Sequence, residues 1–130
     1  MTITTVLFLC QHNAGRSQLA AALLELIAPD EYTLASAGLT PATEVNPSIV
    51  ATIAELGLDI SGRTPRAVTR EDLAKADIVV AMKPGLELPA DGSGPYLKWE
   101  FPDPTDWSID NVRPLREAVA TQIRAEILKN

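Results

Sequence analysis

A single cysteine, Cys10, stands in a chain of 130 residues. With one thiol, no disulfide can form within these residues, and no zinc site built on several cysteines is available. Basic charge is also scarce. Lysine and arginine number 11 against 17 aspartates and glutamates, a formal net charge of −6. Such a surface repels nucleic acid and anionic lipid, so neither is expected as a general partner. Any affinity for anions has to be built locally, from backbone amides and a well-placed cation. Long apolar runs are missing as well, since nothing approaches the roughly 20 residues of a membrane span. The apolar segment that ends at Cys10 has no basic residues before it and no small-residue cleavage site after it, unlike a signal peptide. A protein of the reducing cytoplasm, with no membrane and no nucleic-acid partner, is the expectation.

Hydrophobic residues make up 46% of the chain, enough for a sizeable core in one compact domain. No internal repeat and no linker divides residues 1–130, which read as a single domain. The run Val6-Leu7-Phe8-Leu9 within Ile3–Leu9 predicts a parallel strand buried on both faces. Helical spacing follows from about Arg16, with Leu19, Leu23 and Leu26 on one face. A short strand is predicted over Tyr32–Ala37, ended by Gly38. Asn46 is placed to cap a helix with Pro47 at its first position. Ile49, Ile53 and Leu56 line that helix, and Gly57 ends it. Thr69 with Asp72 suggests a capping signal before a short helix reaching about Ala76. Strands are then predicted over Ile78–Met82 and Tyr96–Trp99, and a last helix from about Val112 with Leu115, Val119, Ile123 and Ile127 inside. Strands alternating with helices imply a parallel sheet covered on both faces. Ligands of such sheets bind beyond the carboxyl ends of the strands, where Cys10 stands.

The segment Cys10-Gln11-His12-Asn13-Ala14-Gly15-Arg16-Ser17 passes from a strand through a loop into a helix. This layout can aim several successive N–H groups into one concavity that fits a tetrahedral anion. Asn13 and Gly15 tolerate the positive φ that a curled loop needs. Arg16 can hold two anion oxygens through its planar fork. Loop amides, helix end and Arg16 all favour thiolate over thiol at Cys10. Ser17 can donate a hydrogen bond to the sulfur, as nucleophile or leaving group. A thiolate attacking an already negative centre needs that charge cancelled first, and each element meets the same need.

Near the other end, Phe101-Pro102-Asp103-Pro104-Thr105-Asp106-Trp107 sets an aspartate between two prolines on a stiffened loop. That loop can bring Asp103 over the pocket as a general acid for a departing oxygen, or be an ordinary turn. His12 either helps admit a second reactant or points to solvent. Arg63, Arg66 and Arg70 form either a binding stretch or a solvated charged face. Trp107 either stacks on a ligand or packs.

These motifs resemble the low-molecular-weight tyrosine phosphatase superfamily, and within it the arsenate reductases of phosphatase fold. The likeness rests on Val6–Cys10, the Cys10–Ser17 loop, Ser36-Ala37-Gly38, Asn46-Pro47, Gly57-Leu58-Asp59-Ile60-Ser61, Ala76-Asp77-Ile78-Val79-Val80 and Asp103-Pro104. It implies an α/β three-layer sandwich around a four-stranded parallel sheet of order 2-1-3-4. It also implies Cys10 as nucleophile, Arg16 and the amides of Gln11 to Arg16 as oxyanion binders, and Asp103 as acid. Gln18, where the phosphatases usually carry proline, is similar to the arsenate reductase branch. So are Thr105 and Asp106, where the phosphatases tend to have aromatic residues. Thioredoxin-coupled reductases of this fold carry two further cysteines after the third strand, where this chain has Met82, Lys83 and Pro84. The pattern therefore resembles the single-cysteine, mycothiol-dependent arsenate reductases. On that resemblance the substrate is arsenate, mycothiol is a co-substrate, and no cofactor or metal is bound. A mycoredoxin, which is glutaredoxin-like, then reduces the released conjugate. A phosphomonoesterase, with water resolving a cysteinyl phosphate, is the leading alternative, and a non-catalytic oxyanion binder the remaining one.

Overall fold

A computed structural model describes residues 3–83, 85–88, 95–101 and 106–128. Four strands form one sheet: β1 (Thr4–Cys10), β2 (Tyr32–Gly38), β3 (Ile78–Ala81) and β4 (Tyr96–Lys98). All pairs are parallel, in the order β2-β1-β3-β4 that the resemblance implies. Among the described residues four helices accompany them: α1 (Arg16–Ile27), α2 (Pro47–Ala54), α3 (Arg70–Lys75) and α4 (Ile109–Glu126).

The period of two in β1 explains its unbroken apolar run. Val6, Phe8 and Cys10 face the larger core with α1, α2 and α4, whereas Leu7 and Leu9 face a smaller one with Leu73 and Ala76 around α3. The sheet is thus the middle of three layers. The chain leaves β1 for β2 on one side and then crosses to β3 on the other, so the strand order switches at the carboxyl end of β1. Cys10 sits at that point, level with Gly38 of β2.

Local signals are met with some changes. Asn46 Oδ1 accepts from Ser48 N at 2.9 Å, and Pro47 opens α2. Thr69 and Asp72 form a full reciprocal capping box, with bonds of 2.8 and 3.1 Å. Gly57 ends α2 in the left-handed region at φ 96°. Leu56 does not line the inner face of α2 and is 43% exposed, because it lies beyond the last regular turn, in a segment closed by a three-residue bond to Ile53. The stripe on α1 is too narrow a description. Every residue from Ser17 to Leu24 is buried, since the helix is packed against β1, β2, α2 and α4. The last helix begins three residues before Val112, at Ile109. Asp106 accepts from Ser108 N at 2.9 Å and from Asn111 Nδ2 at 2.8 Å, which organises the entry, and Pro114 lies inside the helix. No helix among the described residues is long and apolar enough to cross a membrane.

Candidate active site

The loop from Cys10 to Ser17 owes its shape to a second loop packed on its outside. Thr40 N donates to Gln11 O at 2.8 Å, Ala42 N to His12 O at 3.0 Å, and Asn46 N to Ala14 O at 2.8 Å. Three loop carbonyls are thereby turned outward. In a trans peptide the following N–H points the opposite way, so the N–H groups of His12, Asn13 and Gly15 are turned toward the inside. The Asn13 amide bears this out, donating to Cys10 Sγ at 3.2 Å.

Asn13 carries the curl at φ 52°, in the left-handed region that asparagine tolerates. Gly15 does not share that role: its φ is −123°, and it serves as the N-cap of α1. A Cβ there would lie 3.4 Å from the Trp107 ring, in ordinary contact. Gly38 is the tighter position. A Cβ there would meet Asn13 N at 2.7 Å and Gln11 O at 2.8 Å, both backbone atoms of the loop.

Behind the thiol runs a directed chain of hydrogen bonds. Asn13 Oδ1 accepts from Arg66 N at 3.0 Å and from Gln18 Nε2 at 3.3 Å. A backbone N–H can only donate, which fixes the amide orientation, so Nδ2 donates to Ser17 Oγ at 2.8 Å. The Ser17 hydroxyl proton is then free to point at Cys10 Sγ, 2.8 Å away. Two donors therefore converge on the sulfur, and both stabilise negative charge there. Asn13, Ser17 and Gln18 are all buried. Gln18, singled out in the sequence only as a mark of the branch, is part of this support.

Cys10, Gln11, His12, Ala14, Gly15, Arg16, Asn46, Lys83 and Trp107 line a cavity of about 320 Å³. Arg16 places its guanidinium carbon 5.9 Å from the Trp107 ring centroid, a cation–π contact. Burial lowers the pKa of Arg16 from its ordinary value, and the charge of Cys10 opposes that shift. A larger concavity of about 600 Å³, at the end of α1 beside Tyr32 and Leu34, is lined by no cysteine, histidine or arginine. Among the described residues no three His, Cys, Asp or Glu side chains converge as a metal site would require. Asp103 lies outside the described residues, as do Thr105 and Pro84.

Of the open alternatives, Trp107 both lines the cavity and packs, half-buried, against the main core. Arg63 pairs with Glu25 at 2.7 Å. Arg66 forms a two-pronged pair with Asp72 at 2.9 and 3.0 Å, while Arg70 is exposed. Burial raises the Asp72 carboxyl, but bonds from Arg66 and Thr69 outweigh it and leave the group below its ordinary value. None of the three arginines lines the cavity. Lys83 and Thr40 were missed as site residues. Lys83 stands two residues past the end of the third strand, on the crevice side of the sheet, a position that sheet topology alone can flag.

Comparison with known proteins agrees with this geometry. The family described as low molecular weight phosphotyrosine protein phosphatase matches residues 5–87. An arsenate reductase of Bacillus cereus is 31% identical over 125 residues, covering 92% of this chain and 91% of that protein. A solved thioredoxin-dependent arsenate reductase of Corynebacterium glutamicum superposes with a TM-score of 0.82 at 33% identity. It covers 95% of this chain, which spans 59% of that longer one. An arsenate reductase solved in its phosphate-binding state gives a TM-score of 0.85 at 27% identity, covering 98% of each chain. The chain belongs to the low molecular weight phosphotyrosine protein phosphatase family.

Proposed function

We propose that this chain is an arsenate reductase that acts by thiol transfer, with Cys10 bonding to arsenic and an external small thiol taking the arsenic over. The observation that carries the reading is the placement of Cys10 Sγ at a tetrahedral-anion loop, under two hydrogen-bond donors, in a sequence with no second cysteine. Arsenate-reducing relatives that match over nearly the whole chain support the substrate.

In the first step arsenate lies in the loop, held by inward N–H groups and by Arg16, which donates to two of its oxygens. The Cys10 thiolate attacks arsenic. Asp103 gives its proton to the departing oxygen, which leaves as water. In the second step a low-molecular-weight thiol, mycothiol, attacks arsenic, and the Cys10 sulfur leaves with the electron pair of its bond. Ser17 and the Asn13 amide assist both steps, since stabilising the thiolate also makes it a better leaving group. Arsenic stays pentavalent throughout. A separate dithiol protein, a mycoredoxin, then reduces the thiol–arsenate conjugate to arsenite. No bound cofactor or metal enters the scheme.

The test is arsenate-dependent reductant consumption with mycothiol plus mycoredoxin, beside a thioredoxin-only control and aryl phosphate hydrolysis. Turnover that requires the small thiol, and that falls to background in Cys10→Ser, is expected. Rapid aryl phosphate hydrolysis without arsenate turnover under any thiol identifies a phosphatase instead.

A further inference from the structure

We propose that His12 is the general base that takes the proton of the incoming thiol as it attacks the Cys10–arsenic adduct. The proposal rests on the thiol-transfer reading above and names the group that its second step needs. An alkyl thiol is mostly protonated at neutral pH, and the thiolate is the nucleophile. A base at the cavity therefore has a task there.

The ring of His12 is held at one nitrogen. Nδ1 lies 3.0 Å from the Thr40 carbonyl oxygen and 3.2 Å from Thr40 Oγ1. A carbonyl oxygen only accepts, so Nδ1 carries the hydrogen, and in the neutral ring Nε2 keeps a lone pair. Thr40 is itself braced, by its N–H on Gln11 O at 2.8 Å and by Gln11 Nε2 on its hydroxyl at 3.0 Å. His12 is exposed, yet it lines the cavity of Cys10 and Arg16. Solvent-borne thiol and adduct thus meet beside an oriented imidazole.

The other described lining groups cannot do this. Arg16 and Lys83 are cations, Gln11 and Asn46 are neutral amides, and Cys10 is bonded to arsenic at that stage. Glu44 on the outer loop is exposed but does not line the cavity, and Asp106 is engaged with Ser108 and Asn111. The step balances as follows. The thiol sulfur forms a bond to arsenic, its proton passes to His12 Nε2, and the Cys10–arsenic bond breaks with its electron pair returning to Sγ. His12 then gives the proton to water, and nothing is oxidised or reduced.

Two thiols of different acidity test the assignment. 2-Mercaptoethanol is protonated at assay pH and needs a base, whereas 2-nitro-5-thiobenzoate is already ionised and does not. Formation of the thiol–arsenate product is followed for the wild type, His12→Ala and His12→Gln, with iodoacetamide alkylation of Cys10 as a check on the loop. A loss of about 10²-fold with 2-mercaptoethanol that shrinks to less than about threefold with thiobenzoate is expected. An equal loss with both thiols means that His12 only shapes the loop, and overturns the proposal. No loss with 2-mercaptoethanol also overturns it, and leaves the Asp103 carboxylate as the base. Absence of product from the wild type with both thiols and with mycothiol would instead defeat the thiol-transfer reading itself.

Discussion

Cys10 is one of thirty buried apolar side chains among the described residues, and what sets it apart is the polar group behind it. A buried serine next to a buried asparagine costs free energy unless each donor finds an acceptor. Here the donors are used in series: Arg66 N and Gln18 to Asn13, Asn13 to Ser17, Ser17 to the sulfur. Ser17→Ala removes the last link and leaves an Asn13 donor without its acceptor. A hydrogen bond to a charged group contributes about 1.5–3 kcal/mol, equivalent to about 10–100-fold in rate. The expected result is a fall of that size in kcat for arsenate, with KM little changed and slower alkylation of Cys10 at fixed pH. Steady-state kinetics and iodoacetamide labelling check it.

The residue types of this chain were legible before the fold. Cys10, Arg16 and Ser17 announce themselves through spacing between an apolar strand and a periodic helix. The partners that arrive from elsewhere do not. Thr40, Lys83 and the backbone of Arg66 reach the loop only through tertiary folding, and no local pattern marks them. Gly15 misled for a related reason. Its sequence suggests a turn needing positive φ, whereas the structure gives it a negative φ as the N-cap of α1.

Elements hold the loop as much as residues do. The end of β2 presses so closely on residues 11–13 that Gly38 leaves no room for a methyl group. Gly38→Ala has to push backbone rather than a flexible side chain, at a cost of about 1–3 kcal/mol. The displaced atoms belong to the anion loop, so arsenate turnover is expected to fall by more than about tenfold. Gly62→Ala is the matched control: nothing lies within 4 Å of its added Cβ, and activity and melting temperature are expected to stay near wild type. Thermal melts and kinetics on both variants decide it.

On the far side of α1, α2 and α4 are joined by Glu55, which accepts from Arg113 Nε at 3.1 Å and from Arg116 Nη1 at 2.8 Å. Bonds from Arg113 and then Arg116 pull its carboxyl from 4.5 down to about 2. A carboxyl depressed in the folded state binds more protons when unfolded. Its contribution is therefore present above pH 4.5 and is lost as pH falls toward about 2. Glu55→Gln is expected to narrow the stability loss across that window while being less stable at neutral pH. Denaturant melts at a series of pH values test the sign. This contact was invisible in the sequence, because its partners lie 58 and 61 residues apart. By contrast, the caps of α2 and α3 and the buried run of β1 were readable, since each rests on neighbours within one turn or one strand.

At the scale of the molecule, the sheet order places Cys10 at a strand switch, and one cysteine sets the limits of the chemistry. An enzyme that resolves its own oxidised nucleophile needs a second thiol within reach, and this sequence contains none. The net charge is −6, so in the proposed reaction the local cations Arg16 and Lys83 are what draws the oxyanion to the Cys10 cavity. The three-layer architecture was legible from strand–helix alternation. The membership of each face was less so, since α1 is buried on nearly every side and shows no narrow stripe.

The most direct measurement is mass spectrometry of quenched mixtures of enzyme, arsenate and mycothiol with no reducing protein present. The account predicts a mycothiol–arsenate conjugate that accumulates well beyond the enzyme concentration, with Cys10 recovered as free thiol. Arsenite released without any conjugate, together with Cys10 locked in a disulfide, would contradict it.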